Sequence, residues 1–283
     1  MASQELRPLL KLVPTDRIRF HEFPERKRTL KLVERIRQEA FLRNPPIVAD
    51  MKDGYFLLLD GANRVSAFKE LNYTHMPVQV VDYGDASVQL KGWHHLLISG
   101  RTLNLREIYG ALPGVVLKPV TPSDLSRLLE LRQVFSVLVE DEQGYWGLFP
   151  KDTTQEVDAH RLIHVQEQVV AAYEGQSRLE RIKLADYSQL PDAIPSVEHQ
   201  LCLFPVLHKE EMLRLAAEGV MIPTGLTRHL IPGRALGINL DLAFLNGALK
   251  EEDKQRHFQD FIDKLAMEGH IRFYEESVYI MNE

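Results

Sequence analysis

Apolar residues are spaced in two different ways over the first 60 residues. Between residues 25 and 42 they recur at the 3.6-residue spacing of a helix that buries one face. Residues 47–49 and 55–59 are instead short continuous apolar runs of strand length. Asp53-Gly54, between the two runs, is a strong hairpin-turn pair. The pattern therefore predicts one helix followed by a β-hairpin.

The flanking segments complete a small α+β unit. Residues 8–20 are typical of a strand entering a turn, and residues 64–71 resume a helical pattern. Residues 76–81 form another apolar run. The resulting order of strand, helix, strand, strand, helix and strand predicts an α+β fold for this part of the chain.

A cluster of prolines and one glycine divides the sequence near its middle. Pro113, Gly114, Pro119 and Pro122 are predicted to form a connector. We therefore expect an N-terminal domain over 1–112 and a mixed α/β region over 113–283. Within the second region the periodicity predicts helices and strands, namely helices at 154–174, 208–218 and 251–268 and strands at 135–139, 271–274 and 278–281.

Composition narrows the class of protein. The 283 residues include 34 Lys and Arg against 40 Asp and Glu, a formal charge of −6, so binding to DNA is disfavoured although local basic patches are compatible with this sum. The single cysteine, Cys202, excludes an intrachain disulfide and a four-cysteine zinc site. Because the sequence shows neither a signal peptide nor an apolar run long enough to span a membrane, the expected location is the cytoplasm.

The segment Asp60-Gly61-Ala62-Asn63-Arg64 is the main candidate for chemistry. It places a carboxylate at the end of a predicted strand, a glycine in the turn and an arginine at the start of a helix. The first turn of a helix presents unpaired N–H groups to an anion, and an arginine adds a two-pronged contact to phosphate. Asp-Gly turns before helices are also common in proteins without such a site. From these residues alone, a phosphate site and an ordinary turn both remain open.

Several separated blocks resemble one family. The strand, DG-x-x-R turn, helix and following PVQVVDY strand resemble the ParB/sulfiredoxin fold, and in particular its free L-serine kinase branch, which includes a kinase associated with biosynthesis of the siderophore staphyloferrin B. The resemblance covers nearly the whole chain, and its blocks occur in the same order: KLVPTDRIRFHE at 11–22, FLRNPPIV at 41–48, DGANR at 60–64, YEGQSRLERI at 173–182, IPTGLTRHLIPGRAL at 222–236 and IRFYEESVYI at 271–280.

This resemblance implies a reaction and its acidic residues. Phosphoryl transfer from a nucleotide to the hydroxyl of free L-serine would give O-phospho-L-serine for amino-acid or siderophore precursors. Glu22 matches the glutamate that serves as general base in these kinases, where a carboxylate accepts the hydroxyl proton during transfer. Asp60 matches the second acidic residue and is expected to position the hydroxyl or to bind Mg²⁺. The expected donor is ATP, with ADP as the alternative.

The same resemblance implies the binding residues. Gly61, Ala62, Asn63 and Arg64 are expected to bind the nucleotide phosphates, together with Arg43. The serine substrate is expected to contact a second group of residues, which fall on the G-V-T-R and W-x-H patterns of the family: Thr227, Arg228, Trp93 and His95.

One departure from the family keeps other functions open. Relatives commonly carry histidine where this chain has Asn63, and asparagine cannot carry a positive charge. A protein that keeps the fold and binds nucleotide without turnover is therefore one alternative. A ParB-like DNA-binding or ligand-responsive regulator of siderophore biosynthesis is another, although the middle of the chain lacks a basic helix-turn-helix pattern. The oligomeric state is not predicted.

Overall fold

The computed structural model describes most of the chain, namely residues 8–98, 103–140, 144–154, 157–184, 187, 190, 199–246 and 249–273. Two compact units are formed. Unit 1 contains the residues up to Gln89, Ala216–Gly219 and the residues from His229 onward, whereas unit 2 contains Leu90–Leu215 and Val220–Arg228. The domain boundary predicted at residue 112 falls inside unit 2, and the C-terminal residues return to unit 1. No helix in the described ranges has the length and apolar character of a membrane span.

Eight α-helices occur in the described residues. They are α1 (Arg26–Glu39), α2 (Ala62–Glu70), α3 (Leu105–Gly110), α4 (Leu125–Glu130), α5 (Ala159–Ala171), α6 (Lys209–Glu218), α7 (Ala243–Asn246) and α8 (Glu251–Met267).

The same ranges contain fifteen strands. They are β1 (Leu9–Pro14), β2 (Ile18–Arg19), β3 (Phe41–Leu42), β4 (Ile47–Asp50), β5 (Phe56–Asp60), β6 (His75–Val81), β7 (Gln89–Gly92), β8 (His94–Ile98), β9 (Val115–Pro119), β10 (Ser136–Val139), β11 (Tyr145–Pro150), β12 (Arg178–Ile182), β13 (Gln200–Leu203), β14 (Thr227–Leu230) and β15 (Leu240–Asp241). The predicted α+β class is therefore confirmed.

Unit 1 is built on a mixed five-stranded sheet in the order β1-β6-β4-β5-β2. The predicted hairpin is present, since β4 and β5 pair antiparallel. Both strands are continuous apolar runs because their side chains are buried on both faces of the sheet, where alternation with polar residues is not needed. The short strand β2 pairs parallel to β5, with Ile18 opposite Phe56 and Arg19 opposite Leu57.

The core of unit 1 combines residues that are distant in sequence. The helices α1 and α2 pack against each other, and α8 packs against β1. Val33 of α1 and Phe68 of α2 share one buried cluster with Leu240 of β15 and Phe258 of α8. The C-terminal segment is therefore part of the N-terminal fold, which the domain boundary drawn from the sequence does not express.

Unit 2 is built on a six-stranded sheet in the order β12-β8-β13-β10-β11-β9, in which every neighbouring pair is antiparallel. The predicted proline-rich connector contains the edge strand β9, which pairs with β11 and places Pro119 opposite Trp146. Proline is tolerated there because an edge strand has no neighbour on one side that needs its N–H. The prediction of a connector was therefore wrong for Val115–Pro119, which form β9.

The chain end differs from the prediction as well. Residues 271–273 form no strand, so the predicted strand at 271–274 is not seen over its described part. The predicted strand at 278–281 lies outside the described residues. The predicted helices at 154–174, 208–218 and 251–268 correspond to α5, α6 and α8, with α5 beginning only after Asp158, whose side chain accepts a hydrogen bond from the N–H of Arg161.

Candidate active site

The two predicted catalytic carboxylates lie at the same edge of the unit 1 sheet. Glu22 follows the end of β2, and Asp60 is the last residue of β5. Because β2 and β5 run parallel, the chain leaves both strands at one edge. Residues separated by 38 positions are thereby delivered to the same side of the fold by backbone pairing.

Glu22 lies beside a buried histidine. The carboxylate is largely shielded, with 16 % of the side chain exposed, and its Oε1 atom is 3.9 Å from Nε2 of His21. The other ring nitrogen of His21, Nδ1, donates a hydrogen bond of 2.7 Å to the carbonyl oxygen of Leu58 in β5. The carbonyl therefore fixes the proton on Nδ1 and turns Nε2 toward the carboxylate.

The segment that carries Glu22 is tied to the start of α2 by Asn63. The side-chain Oδ1 of Asn63 accepts hydrogen bonds from the backbone N–H of Glu25, at 2.8 Å, and from the hydroxyl of Thr29, at 3.2 Å. Because Glu25 immediately precedes α1, the asparagine satisfies an N–H group at the start of that helix. Its oxygen thus joins the start of α1, just after the Glu22 segment, to the start of α2. The predicted contact of Asn63 with phosphate stays a prediction.

Asp60 is the centre of a cluster of opposite charges. Its Oδ2 atom accepts a hydrogen bond of 2.6 Å from Arg64 and one of 2.5 Å from Arg234. The carboxylate thus carries one negative charge between two guanidinium groups. Arg234 is absent from the residues predicted from sequence, although it lies in the IPTGLTRHLIPGRAL block.

Arg64 is fixed by three acceptors. Besides its bond to Asp60, Nη1 donates to the carbonyl oxygens of Asn44 at 2.9 Å and Pro45 at 3.0 Å. Burial lowers the pKa of the guanidinium from its ordinary value of 12.5, and Asp60 opposes that shift. Arg43, which precedes Asn44, has an exposed side chain 3.5 Å from Glu39. Its predicted contact with phosphate remains a prediction.

The start of α2 has the geometry of an anion site. Gly61, directly before the helix, has φ +103°, a left-handed conformation that favours glycine. The backbone N–H groups of Arg64 and Val65 both donate to the carbonyl oxygen of Gly61. Arg64 is thus the first residue of α2 whose N–H makes a hydrogen bond within the helix. The N–H groups of Ala62 and Asn63 precede it in the first turn, where N–H groups have no helical acceptor and favour an anion.

Replacing Gly61 with alanine is expected to weaken nucleotide binding by roughly tenfold or more, the effect of losing one charged hydrogen bond. The added methyl group would lie 2.9 Å from Cβ of Pro46 and 3.1 Å from Nε of Arg64, so both Pro46 and the arginine must shift. Gly54→Ala is the matched control, because Gly54 also has a positive φ, +84°, but open space around it. Isothermal titration with ATP measures the difference. Equal affinities in the two variants would contradict the packing argument.

The carboxylates offer one place for a magnesium ion. In the part of the chain that the structure describes, Oδ2 of Asp60 accepts both arginine hydrogen bonds and Oδ1 accepts none. No group of three or more His, Cys, Asp or Glu side chains suited to a metal occurs there. Mg²⁺ usually takes only one or two protein carboxylates together with phosphate oxygens and water, so Oδ1 of Asp60 fits an ion that arrives on a nucleotide.

A cleft elsewhere in unit 1 does not include these carboxylates. It has a volume of about 780 Å³ and is lined in part by Asp16, Lys69, His75 and Glu251.

The predicted serine-binding residues belong to unit 2. The guanidinium of Arg228 lies 4.9 Å from the ring centroid of Trp93, and the ammonium of Lys183 lies 5.6 Å from it. The backbone N–H of Trp93 donates to the carbonyl oxygen of Leu226 at 3.0 Å, next to Thr227. The structure therefore brings Trp93, Thr227 and Arg228 together, and Lys183 was missed because no family block or local pattern marks it.

His95 is a buried member of the same group. Its Nδ1 atom accepts a hydrogen bond of 2.7 Å from the hydroxyl of Tyr173, and its Nε2 donates one of 2.9 Å to the carbonyl oxygen of Gly225. Only 1 % of His95 is exposed, so within unit 2 the residue is placed to hold the Gly225 turn. This geometry favours a positioning role over the predicted contact with serine.

Unit 2 is expected to lose stability in mild acid. Burial is the main cause that lowers the pKa of both His94 and His95 to about 4, and Nδ1 of His94 already accepts the N–H of Phe204. The unfolded chain, with histidine pKa values near 6.5, therefore binds more protons than the folded chain between pH 6.5 and 4. Stability is lost as the pH falls through that window, by at most about 3 kcal/mol per histidine.

Urea denaturation at several pH values between 7.5 and 4.5 measures this loss. His95→Gln, which can keep one donor and one acceptor, is expected to flatten the pH dependence. His164→Gln, at an exposed position of α5, is expected to leave it unchanged. An equal pH dependence in wild type and His95→Gln would contradict the assignment.

Comparison with solved structures identifies the fold of the chain. No protein-family model matches the chain. A solved free serine kinase in complex with AMP superposes with a TM-score of 0.68, covering 84% of this chain and 94% of that one at 17% identity, and therefore shares the fold.

Relatives with higher sequence identity are also described as serine kinases. The ATP-dependent L-serine kinase SbnI of Staphylococcus aureus is 29% identical over 281 residues, which covers 97% of each chain. The solved structure of SbnI with a C-terminal truncation has a TM-score of 0.72 at 27% identity and covers 92% of this chain and 97% of that one. An ATP-dependent L-serine kinase of Staphylothermus marinus is 25% identical over 227 residues, or 78% of this chain and 85% of the relative. The resemblance inferred from the sequence is confirmed.

Proposed function

We propose that this protein is a phosphotransferase that moves the terminal phosphoryl group of ATP to the hydroxyl of free L-serine, giving O-phospho-L-serine and ADP. The observation that carries the proposal is the delivery of Glu22 and Asp60 to one edge of the unit 1 sheet, next to the start of α2. Relatives described as ATP-dependent L-serine kinases over nearly the whole chain support it. They favour a kinase over the alternative of a transcriptional regulator.

The proposed reaction assigns a proton acceptor and a phosphate cradle. Glu22 accepts the proton of the serine hydroxyl. The hydroxyl oxygen bonds to the terminal phosphorus of ATP as the bond from that phosphorus to the bridging oxygen of ADP breaks. The imidazole of His21, which the carbonyl oxygen of Leu58 holds beside the carboxylate, supports this role. The N–H groups of Ala62 and Asn63 hold phosphate oxygens, the positive charge of Arg64 lies beside them, and Arg43 is a further proposed contact.

The remaining roles are assigned to Asp60 and to unit 2. Asp60 would hold Mg²⁺ together with the nucleotide, and the ion would neutralise phosphate charge. Trp93, Thr227 and Arg228 are proposed to bind the amino acid, with the guanidinium of Arg228 on its carboxylate. His95 holds the Gly225 turn, which precedes Thr227 and Arg228. We place the activity in the cytoplasm and its product in siderophore or amino-acid precursor synthesis.

The proposal is tested with purified protein, L-serine and Mg²⁺, with ATP or ADP as donor, by following O-phosphoserine with ³¹P NMR and mass spectrometry. Product is expected with ATP and is expected to disappear when EDTA is added. D-Serine, L-threonine and an internal serine in a blocked peptide test the requirement for the free L-amino acid. Absence of O-phosphoserine with both nucleotides would overturn the proposed function.

A further inference from the structure

Two arginines meet at Asp60, but their surroundings differ. Arg64 has 21 % of its side chain exposed and Arg234 has 42 %. A guanidinium carries five N–H donors, and those already bound inside the protein cannot reach a ligand. The two residues can therefore be compared by the donors that each has left.

Most donors of Arg64 serve the fold. Both N–H groups of Nη1 are used by the carbonyl oxygens of Asn44 and Pro45, and Nη2 binds Asp60. The remaining edge faces Gly61, since a methyl group added there would lie 3.1 Å from both Nε and Nη2. Arg64 thus joins the residues before β4 to the end of β5 and has little capacity for a further anion.

Among the residues that the structure describes, most donors of Arg234 have no protein acceptor. In the described ranges its side chain donates one hydrogen bond, from Nη2 to Oδ2 of Asp60. Four of its five N–H donors therefore remain for a ligand. Asp60 directly precedes Gly61 and α2, so this contact places the guanidinium of Arg234 beside the start of α2.

The backbone around Arg234 is fixed by a buried amide. The side-chain Nε2 of Gln79 in β6 donates to the carbonyl oxygen of Gly233 at 2.9 Å, and its Oε1 accepts the N–H of Ala235 at 2.8 Å. Gln79 is 3 % exposed. The core side chain of Gln79 thus fixes the backbone on both sides of Arg234. The side chain of Arg234 itself remains accessible.

We infer that Arg234, more than Arg64, makes the guanidinium contact to the terminal phosphate of the nucleotide, with Asp60 as its counterion and Arg64 as part of the scaffold. The inference rests on the proposed function for the identity of the ligand. The cluster of Asp60, Arg64 and Arg234 carries by itself a net charge of +1, which attracts a polyphosphate. The longer the phosphate chain, the more its affinity is expected to depend on Arg234.

Calorimetric titration of the full chain with ATP, ADP and AMP tests this inference. Arg234→Gln is expected to weaken ATP binding roughly 10- to 100-fold, the effect of losing charged hydrogen bonds, and to change AMP binding little. Arg234→Lys keeps the positive charge but loses the two-pronged guanidinium. Its affinity for ATP is expected to lie between those of wild type and Arg234→Gln. Arg64→Gln is expected to lower the melting temperature, because two carbonyl oxygens lose their donor, whereas Arg234→Gln is not.

Arg19→Gln is the matched control, since Arg19 also pairs with an aspartate of unit 1, Asp53, at 3.1 Å. It is expected to bind ATP as wild type does. Wild-type ATP affinity in Arg234→Gln, or an equal loss for ATP and AMP, would overturn the inference. A wild type that forms no O-phosphoserine, while Arg234→Gln still loses ATP affinity selectively, would overturn the proposed reaction and support the phosphate contact.

Discussion

Replacing Glu22 with glutamine is expected to lower kcat for O-phosphoserine formation by roughly 100- to 10,000-fold, the range associated with loss of a general base. Glutamine keeps the size of the side chain and a hydrogen-bonding oxygen, but it cannot accept the proton of the serine hydroxyl. The KM values for ATP and serine are expected to change much less. Initial rates over a range of each substrate, with product detected by mass spectrometry, measure the effect.

Glu25→Gln is the matched control for that experiment. Glu25 lies three residues farther along the same segment, and its exposed carboxylate pairs with Arg28 at 3.0 Å. The control is expected to retain wild-type kcat. If Glu22→Gln also retained wild-type kcat, the role of proton acceptor would pass to another group, and the neighbouring His21 would be the next residue to test.

The second large effect is expected from Asp60→Asn. Asparagine preserves the shape of the side chain but removes the negative charge that both Arg64 and Arg234 share through one oxygen. With ~3 kcal/mol as the upper value for a charged hydrogen bond, kcat/KM for ATP is expected to fall roughly 100-fold. The unfolding free energy is expected to change little, because the carboxylate is more than one third exposed and solvent screens it.

Asp53→Asn provides the comparison for Asp60→Asn. Asp53 also pairs with an arginine of unit 1, but it lies in the turn between β4 and β5, away from the carboxyl end of β5. Its kcat/KM is expected to match wild type. An Asp60→Asn variant with wild-type kcat/KM would show that neither the arginine cluster nor a metal ion depends on this charge.

The local elements of unit 1 were predictable because their signals are local. The spacing of apolar residues predicted α1, and the Asp53-Gly54 turn between two apolar runs predicted the β4-β5 hairpin. The turn before α2 was predictable for the same reason, since an aspartate, a glycine and a helix start follow one another within three residues.

The contacts of Asn63 were not predictable from that pattern. The comparison with relatives treated this position as a departure within a phosphate site. In the fold, its oxygen binds the backbone of Glu25 and the hydroxyl of Thr29, residues more than 30 positions earlier. Whether asparagine serves the ligand or the scaffold depends on what α1 places beside it.

The α+β class and the strand, turn and helix around Asp60-Gly61 followed from the sequence alone, and its resemblance to serine kinases named Glu22 as the candidate base. Which charged side chains meet followed only from the assembled fold. Arg234 reaches Asp60, 174 residues away, because buried Gln79 fixes its backbone and because residues 229–273 pack into unit 1. Hydrophobic periodicity predicts only which face of each segment is buried. It does not predict which distant segments pair, because that pairing depends on the assembled core.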